Sequence, residues 1–362
     1  IVFGRGTKAQ AAGLVLARGR RVVLVHGAQA ARAEWLRADL DGQGGAVTML
    51  ACPGEPDLPG LEAAVARLRP LDPQVIVALG GGSAIDMGKA LAALLPGTGA
   101  PLDHLEVVGQ GLPLTADPLP FIAIPTTAGT GAEATRNAVI KVPDHARKVS
   151  LRDPRMIPDV ALVDTTLMEG APKAVVLAAG LDAVTQVIEP YLCNRANPMT
   201  DALCRDAIPR GLRALRAVIE APGSQDWDDM AHVSLCGGIA LSNAGLGAVH
   251  GLAGVIGGVT GAAHGAICGA LLPHVLSANA AAVPPHGEVA ARFDWVSRKV
   301  AEVYGSLPEF AAWARAHGLP PLAVGAGARA GIAAAALASS SMRANPVTLT
   351  EDDLERIMIA AG

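Results

Sequence analysis

Two stretches of this sequence carry the side chains of a metal centre. Asp182 and Gln186 stand four apart in LDAVTQVIEP, a spacing that sets both on one face of a helix, and each offers oxygen. Downstream, VHGLAGVIGGVTGAAHG places His250 and His264 fourteen residues apart, with glycine-rich sequence between them that lets two helices come together. A carboxylate with two imidazoles suits a divalent first-row metal such as iron or zinc and leaves a position for a substrate oxygen. Taken singly, each histidine reads more readily as a hydrogen-bonded core or surface residue; it is their combination with the aspartate that favours a ligand set. His274, in the apolar run LLPHV, reads as a satisfied core histidine. His104, His145, His286 and His317 lie in polar or loop-like stretches and read as surface residues.

A second constellation has phosphate chemistry. The run VIVAL at 75–79 leads into Gly80-Gly81-Gly82-Ser83 and then a helical stretch with Asp86 and Lys89. Glycines let backbone N–H groups approach a pyrophosphate, and the helix N-terminus adds unpaired donors and partial positive charge, so Gly81, Gly82 and Ser83 are the expected phosphate contacts. A lone glycine-rich turn serves equally well as a ligand-free strand-to-helix connection, and this one is not GxGxxG. A second loop, PTTAGTG at 125–131, follows FIAI and is expected to bring the hydroxyls of Thr126, Thr127 and Thr130 to the same sheet edge.

These residues need elements to place them. From Arg21 to Ile124, VVLV (22–25), AVTML (46–50), VIVAL (75–79) and FIAI (121–124) alternate with Ala/Leu-rich stretches, which is the rhythm of βαβ units. Continuously apolar strands belong to a parallel sheet covered on both faces, whose ligands gather at the carboxyl ends of the strands. After ALVD at 161–164 the strand signals largely stop and helical segments run on, punctuated by NP at 197–198 and PP at 320–321. The reading is an α/β nucleotide-binding domain over 1–164 and an all-α metal and substrate domain over 165–362. Thr350, with Asp353 three residues on, starts a final helix with a near capping box.

Composition narrows the function classes. At 362 residues, 51% hydrophobic and net charge −4, with no Lys/Arg block, the chain has room for two cores and no electrostatic footprint for nucleic acid or an anionic membrane. Its apolar runs are broken by Gly, Pro or charge, so no membrane span is expected. Cys52, Cys193, Cys204, Cys236 and Cys268 are odd in number, scattered and set in apolar sequence, and read as reduced, buried thiols. With no basic-then-apolar leader ahead of the strand-like IVFGRG, the expected compartment is the cytoplasm.

The motifs GGGSAIDMGKA (80–90), PTTAGTGAEAT (125–135), PDVALVD (158–164), GLDAVTQVIEPY (180–191), GAVHGLAG and AAHGAICGALLPHV together resemble the iron-containing (group III) alcohol dehydrogenase family over nearly the whole chain. They show a weaker likeness to maleylacetate reductases, glycerol dehydrogenases and dehydroquinate synthases. The resemblance implies a dehydroquinate synthase-like fold of two domains, an NAD(P)-linked reaction on a small alcohol or carbonyl substrate, a divalent metal (Fe2+ or Zn2+) and a homodimer or larger homo-oligomer. It carries Gly81, Gly82, Ser83, Thr126, Thr127 and Thr130 over as cofactor contacts, adds Asn137 and Lys148, and matches Asp86 to the acid of the glycine-loop motif.

Three departures stand out. Where the family usually has a second metal-ligating histidine, this chain has Gln186, so the implied set is Asp182, His250 and His264 with Gln186 as a weak oxygen ligand. Gly254 stands where a further histidine commonly lies near the nicotinamide, which removes the local proton relay. Gly27, after VVLV, stands where NAD-preferring relatives commonly carry an aspartate, and without that charge NADP is expected to be tolerated. Three other readings stay open: a maleylacetate reductase-like reductase, a dehydroquinate-synthase-like lyase, and a metal-free nucleotide-binding protein.

Overall fold

The computed structural model describes residues 1–145 and 147–362 and divides into two compact units: Ile1–Thr127 with Ala132–Glu169, and Ala128–Gly131 with Gly170–Gly362. The first thus extends past the boundary expected at Asp164, and four residues of the threonine loop belong to the second.

The first unit is built on a parallel sheet of β1 (Val2–Phe3), β2 (Arg21–His26), β3 (Ala46–Ala51), β4 (Val75–Gly80), β5 (Phe121–Pro125) and β8 (Val160–Val163), in the order β1-β8-β5-β4-β2-β3. Helices α1 (Ala11–Leu16), α2 (Glu34–Gly42), α3 (Leu58–Leu68) and α4 (Gly82–Leu94) cover it. The inner strands β4, β5 and β8 are apolar throughout because both faces are buried, β2 nearly so, while the edge strand β3 is only half-buried. Val23, Val25, Ile76, Ala78, Phe121 and Ala123 pack with α3 and α4, whereas Val22, Leu24, Val75, Val77, Ile122 and Ile124 pack with α1 and α2. The strand order reverses between β2 and β4, so the loops after these strands meet at a topological switch point, the usual ligand crevice of such sheets.

An antiparallel pair, β6 (Asn137–Val142) and β7 (Arg147–Arg152), was not expected. Its buried residues alternate with exposed ones; Ala138, Ile140, Val142, Val149 and Leu151 join the core under α4. Short runs interrupted by Lys and Arg give a weak apolar signal, and only the period of two betrays them.

The second unit is helical: α5 (Lys173–Leu192), α6 (Pro198–Glu220), α7 (Ser224–Asn243), α8 (Ala248–Thr260), α9 (His264–Ala282), α10 (Glu288–Tyr304), α11 (Leu307–Ala316), α12 (Ala326–Leu337) and α13 (Glu351–Ala361). The NP break becomes the start of α6, with Asn197 as N-cap and Pro198 at the first helical position, and Thr350 caps α13 in a capping box with Asp353. Helix α5 is the central element, buried almost continuously from Gly180 to Leu192 and packed by α6, α7 and α9. By length and composition α5 and α9 reach membrane-spanning size, contrary to expectation. Their most apolar windows are 78% and 61% buried against neighbouring chain, which accounts for the apolarity.

Candidate metal centre and cofactor loops

Helix α9 lies against α5 through two glycines one turn apart. A Cβ on Gly265 would stand 2.2 Å from the carbonyl oxygen of Ala178, and one on Gly269 would stand 2.4 Å from Leu181 Cδ1. The residues just before these glycines, His264 and Cys268, are thereby pressed toward Asp182 on α5. From α8, His250 enters the same point. Its Nε2 lies 3.4 Å from Asp182 Oδ1, and that of His264 lies 3.8 Å from the same oxygen. Cys268 Sγ lies 3.9 Å from His250 Nε2 and 3.6 Å from His264 Nε2, and all four donor atoms fall within 4.8 Å of one another.

The opposite side of His250 is held by Glu189. The imidazole Nδ1–H donates to Glu189 Oε2 at 2.6 Å, which leaves the Nε2 lone pair facing Asp182. Glu189 Oε1 accepts Val249 N–H, and Asn345 Oδ1 accepts Ala248 N–H, so two of the free donors at the start of α8 are satisfied by buried side chains. Gly247, the N-cap, leaves the room: a Cβ there would stand 2.8 Å from Glu189 Oε1.

The electrostatics fit a cation. Asp182 Oδ1 is buried with no hydrogen-bond partner. Burial pushes Asp182 up, but the imidazoles of His264 and His250 pull it down to about 2. Burial pushes His264 down, yet the charges of Cys268 and Asp182 hold it at about 9, and Cys268 and Glu189 keep His250 well above its usual value. The pocket therefore draws positive charge onto its own imidazoles, a charge that a divalent ion supplies instead.

Asp182, His250 and His264 are thus brought together as expected. Gln186 sits beside them: its side chain helps hold the Asp182 carboxyl low, while its Oε1 is buried without a partner. Cys268 and Glu189 escaped the sequence reading. The i,i+4 spacing from His264 to Cys268 is the same signal that paired Asp182 with Gln186, and Glu189 lies two turns beyond Asp182. His274, expected to be satisfied, has a buried Nε2 with no hydrogen-bond partner. His104, expected at the surface, is buried, with Nδ1 against the Leu112 carbonyl at 3.0 Å. All five cysteines are buried and free.

In the first unit, Gly81 is the N-cap of α4, so the N–H groups of Gly82 and Ser83 open its first turn. Thr126 N–H donates to the Gly80 carbonyl at 2.9 Å, and a Cβ on Gly81 would approach Thr127 Oγ1 at 3.3 Å, so the glycine and threonine loops are neighbours. Gly27 closes the group from β2: the Cβ position of Gly80 lies 3.3 Å from Gly27 N, while a Cβ on Gly27 itself meets nothing within 4 Å. Thr130 belongs to the segment packed with the helical unit. Asp86, Asn137 and Lys148 are engaged within the protein. Asp86 Oδ2 accepts Val139 N–H, the Asn137 carbonyl accepts Lys89 Nζ, and Lys148 pairs with Glu55 at 2.5 Å.

Comparison with known proteins agrees with this architecture. Residues 1–165 match the family described as iron-containing alcohol dehydrogenase, and residues 176–362 match the Fe-containing alcohol dehydrogenase family, C-terminal. Among curated proteins, the chain is 36% identical over 253 residues to the probable alcohol dehydrogenase EutG of Escherichia coli (strain K12), spanning 69% of this chain and 63% of that protein. It is 40% identical over 208 residues to the lactaldehyde reductase of the same organism, spanning 57% of this chain and 53% of that protein. Alignment thus covers less than two thirds of each relative's length. Among solved structures, the alcohol dehydrogenase from Oenococcus oeni superposes with TM-score 0.88 at 27% identity, covering 99% of this chain and 97% of that one. A 1,3-propanediol oxidoreductase gives 0.86 at 26%, covering 100% and 97%.

Proposed function

Because the chain belongs to the iron-containing alcohol dehydrogenase family, we propose that it is a metal-assisted, NAD(P)-linked oxidoreductase that interconverts a small alcohol and its aldehyde or ketone. The observation that carries this reading is the convergence of Asp182, His250 and His264, with a buried carboxylate oxygen left unpartnered among them. These three side chains would hold a divalent cation, which would supply polarisation of the substrate C–O bond. Glu189 keeps the His250 proton on Nδ1 and so aims the Nε2 lone pair.

Gly81, Gly82 and Ser83 offer backbone donors to a pyrophosphate at the start of α4, beside the hydroxyl of Thr127. Gly27 gives the adjoining edge neither bulk nor negative charge, which supports use of NADP as well as NAD. Gly254, one turn beyond His250, has open space around its Cβ position, leaving room for water where a relaying imidazole is missing.

The test is reduction of NAD or NADP by a panel of primary alcohols and diols, using metal-stripped protein and protein reloaded with zinc or iron(II). Activity that returns with metal supports the reading, and net formation of reduced cofactor excludes a dehydroquinate-synthase-like lyase. Fully loaded protein that reduces neither cofactor with any alcohol sinks it. Gly27→Asp is expected to lower kcat/KM with NADP at least about tenfold relative to NAD.

A further inference from the structure

The metal centre as read from Asp182, His250 and His264 has three protein donors, yet four donor atoms converge there. We propose that the Cys268 thiolate is the fourth ligand, standing in for the side chain at position 186, and that the site takes a thiophilic divalent cation such as zinc. The proposal rests on the metal centre proposed above and deepens it.

Geometry carries the argument. With Zn–S of about 2.3 Å and Zn–N or Zn–O of about 2.0–2.2 Å, a tetrahedral site separates S from N by about 3.6 Å and O from N by about 3.4 Å. Cys268 Sγ stands 3.6 and 3.9 Å from the two imidazole Nε2 atoms, and Asp182 Oδ1 stands 3.8 and 3.4 Å from them. The sulfur thus meets both imidazole nitrogens at the spacing of shared ligands and lies within 4.8 Å of the Asp182 carboxylate. Cys268 is wholly buried and sits one turn beyond His264 on α9, where the contact at Gly265 and Gly269 fixes its approach to α5.

Position 186 carries the weaker donor. The Gln186 side chain helps hold the Asp182 carboxyl low, the part of a neighbour that supports a ligand, and its amide oxygen is a poorer donor to zinc than a thiolate. On coordination the S–H bond breaks, the sulfur lone pair forms the bond to the cation, and the proton leaves to buffer; no oxidant or reductant is involved.

The experiment is cobalt(II) loading of metal-stripped full-length protein, read by absorption. Sulfur bonded to cobalt gives an intense near-ultraviolet charge-transfer band that nitrogen and oxygen donors do not. Wild type is expected to show this band at one cobalt per chain. Cys268→Ser is expected to lose it, keep the visible bands of a histidine-bound ion, and bind zinc at least about 100-fold more weakly, the upper end of the loss for an outer-sphere partner. Gln186→Ala is expected to keep the band. Circular dichroism and melting show whether Cys268→Ser is folded, and Cys268→Ala serves if it is not. A cobalt-loaded wild type without the band, or a folded Cys268 variant that keeps both band and affinity, overturns the thiolate ligand while leaving the three-donor centre standing. Wild type that binds neither cobalt nor zinc overturns the centre and the thiolate with it.

Discussion

Glu189 divides its carboxylate between two tasks: one oxygen orients the His250 imidazole and the other caps the helix that carries it. Glu189→Gln retains size but cannot accept at both places, because one of its two heads is now an N–H donor. Zinc affinity, measured against a competing chelator, is expected to drop about 10- to 100-fold while the far-ultraviolet dichroism stays unchanged. Glu133, on the short turn that leads into β6, makes a second prediction. It is fully buried, and burial pushes its carboxyl up from 4.5 to about 7, against the partial pull of its own backbone and Lys89. The folded state therefore binds more protons than the unfolded one between about pH 4.5 and 7. Glu133 contributes stability below that window and loses it as pH rises through it, by up to about 3 kcal/mol. Urea unfolding at pH 5 and pH 7.5 is expected to show this loss in wild type and its absence in Glu133→Gln.

At the scale of elements, the site depends on how closely α9 approaches α5. Gly265→Ala sets a methyl 2.2 Å from a backbone oxygen that cannot swing aside, so the helices must part. A loss of about 1–3 kcal/mol is expected, with metal retention falling alongside. Gly254→Ala, in α8, meets open space and is expected to be neutral or to gain up to about 1 kcal/mol from helix propensity. Denaturant titration and metal analysis of the two variants separate a packing glycine from a permissive one. This distinction is invisible in the sequence, where both are single letters within glycine-rich helices. What was legible there is what period and spacing encode: the five apolar strands of the sheet, the helix cap at Thr350, and the aspartate with its two histidines. What was not legible depends on neighbours distant in the chain. The pairing of Lys148 with Glu55, for example, joins residues 93 apart in the chain. Cys268 matches any buried thiol until α9 turns it toward Asp182.

At the scale of the whole molecule, the chain passes from one compact unit to the other three times, at Thr127, at Gly131 and at Glu169. The threonine loop is therefore split: Thr126 and Thr127 follow β5, whereas Gly131 N–H donates to Ser234 Oγ on α7 at 3.2 Å, and the Gly131 carbonyl lies so close to Gly238 that a Cβ there would stand 2.2 Å from it. Amide hydrogen exchange follows cooperative opening, so neighbouring amides on this one loop belong to different opening events. The Gly131 amide is expected to exchange at the rate of α7, and the Thr126 amide, bonded to the Gly80 carbonyl, at the rate of the sheet. A metal that slows opening of the helical unit then slows exchange at Gly131 even when no nucleotide is present. Exchange measured with and without zinc would show protection rising within a single turn of chain between Thr126 and Gly131, a step set by the path of the backbone between two cooperative units.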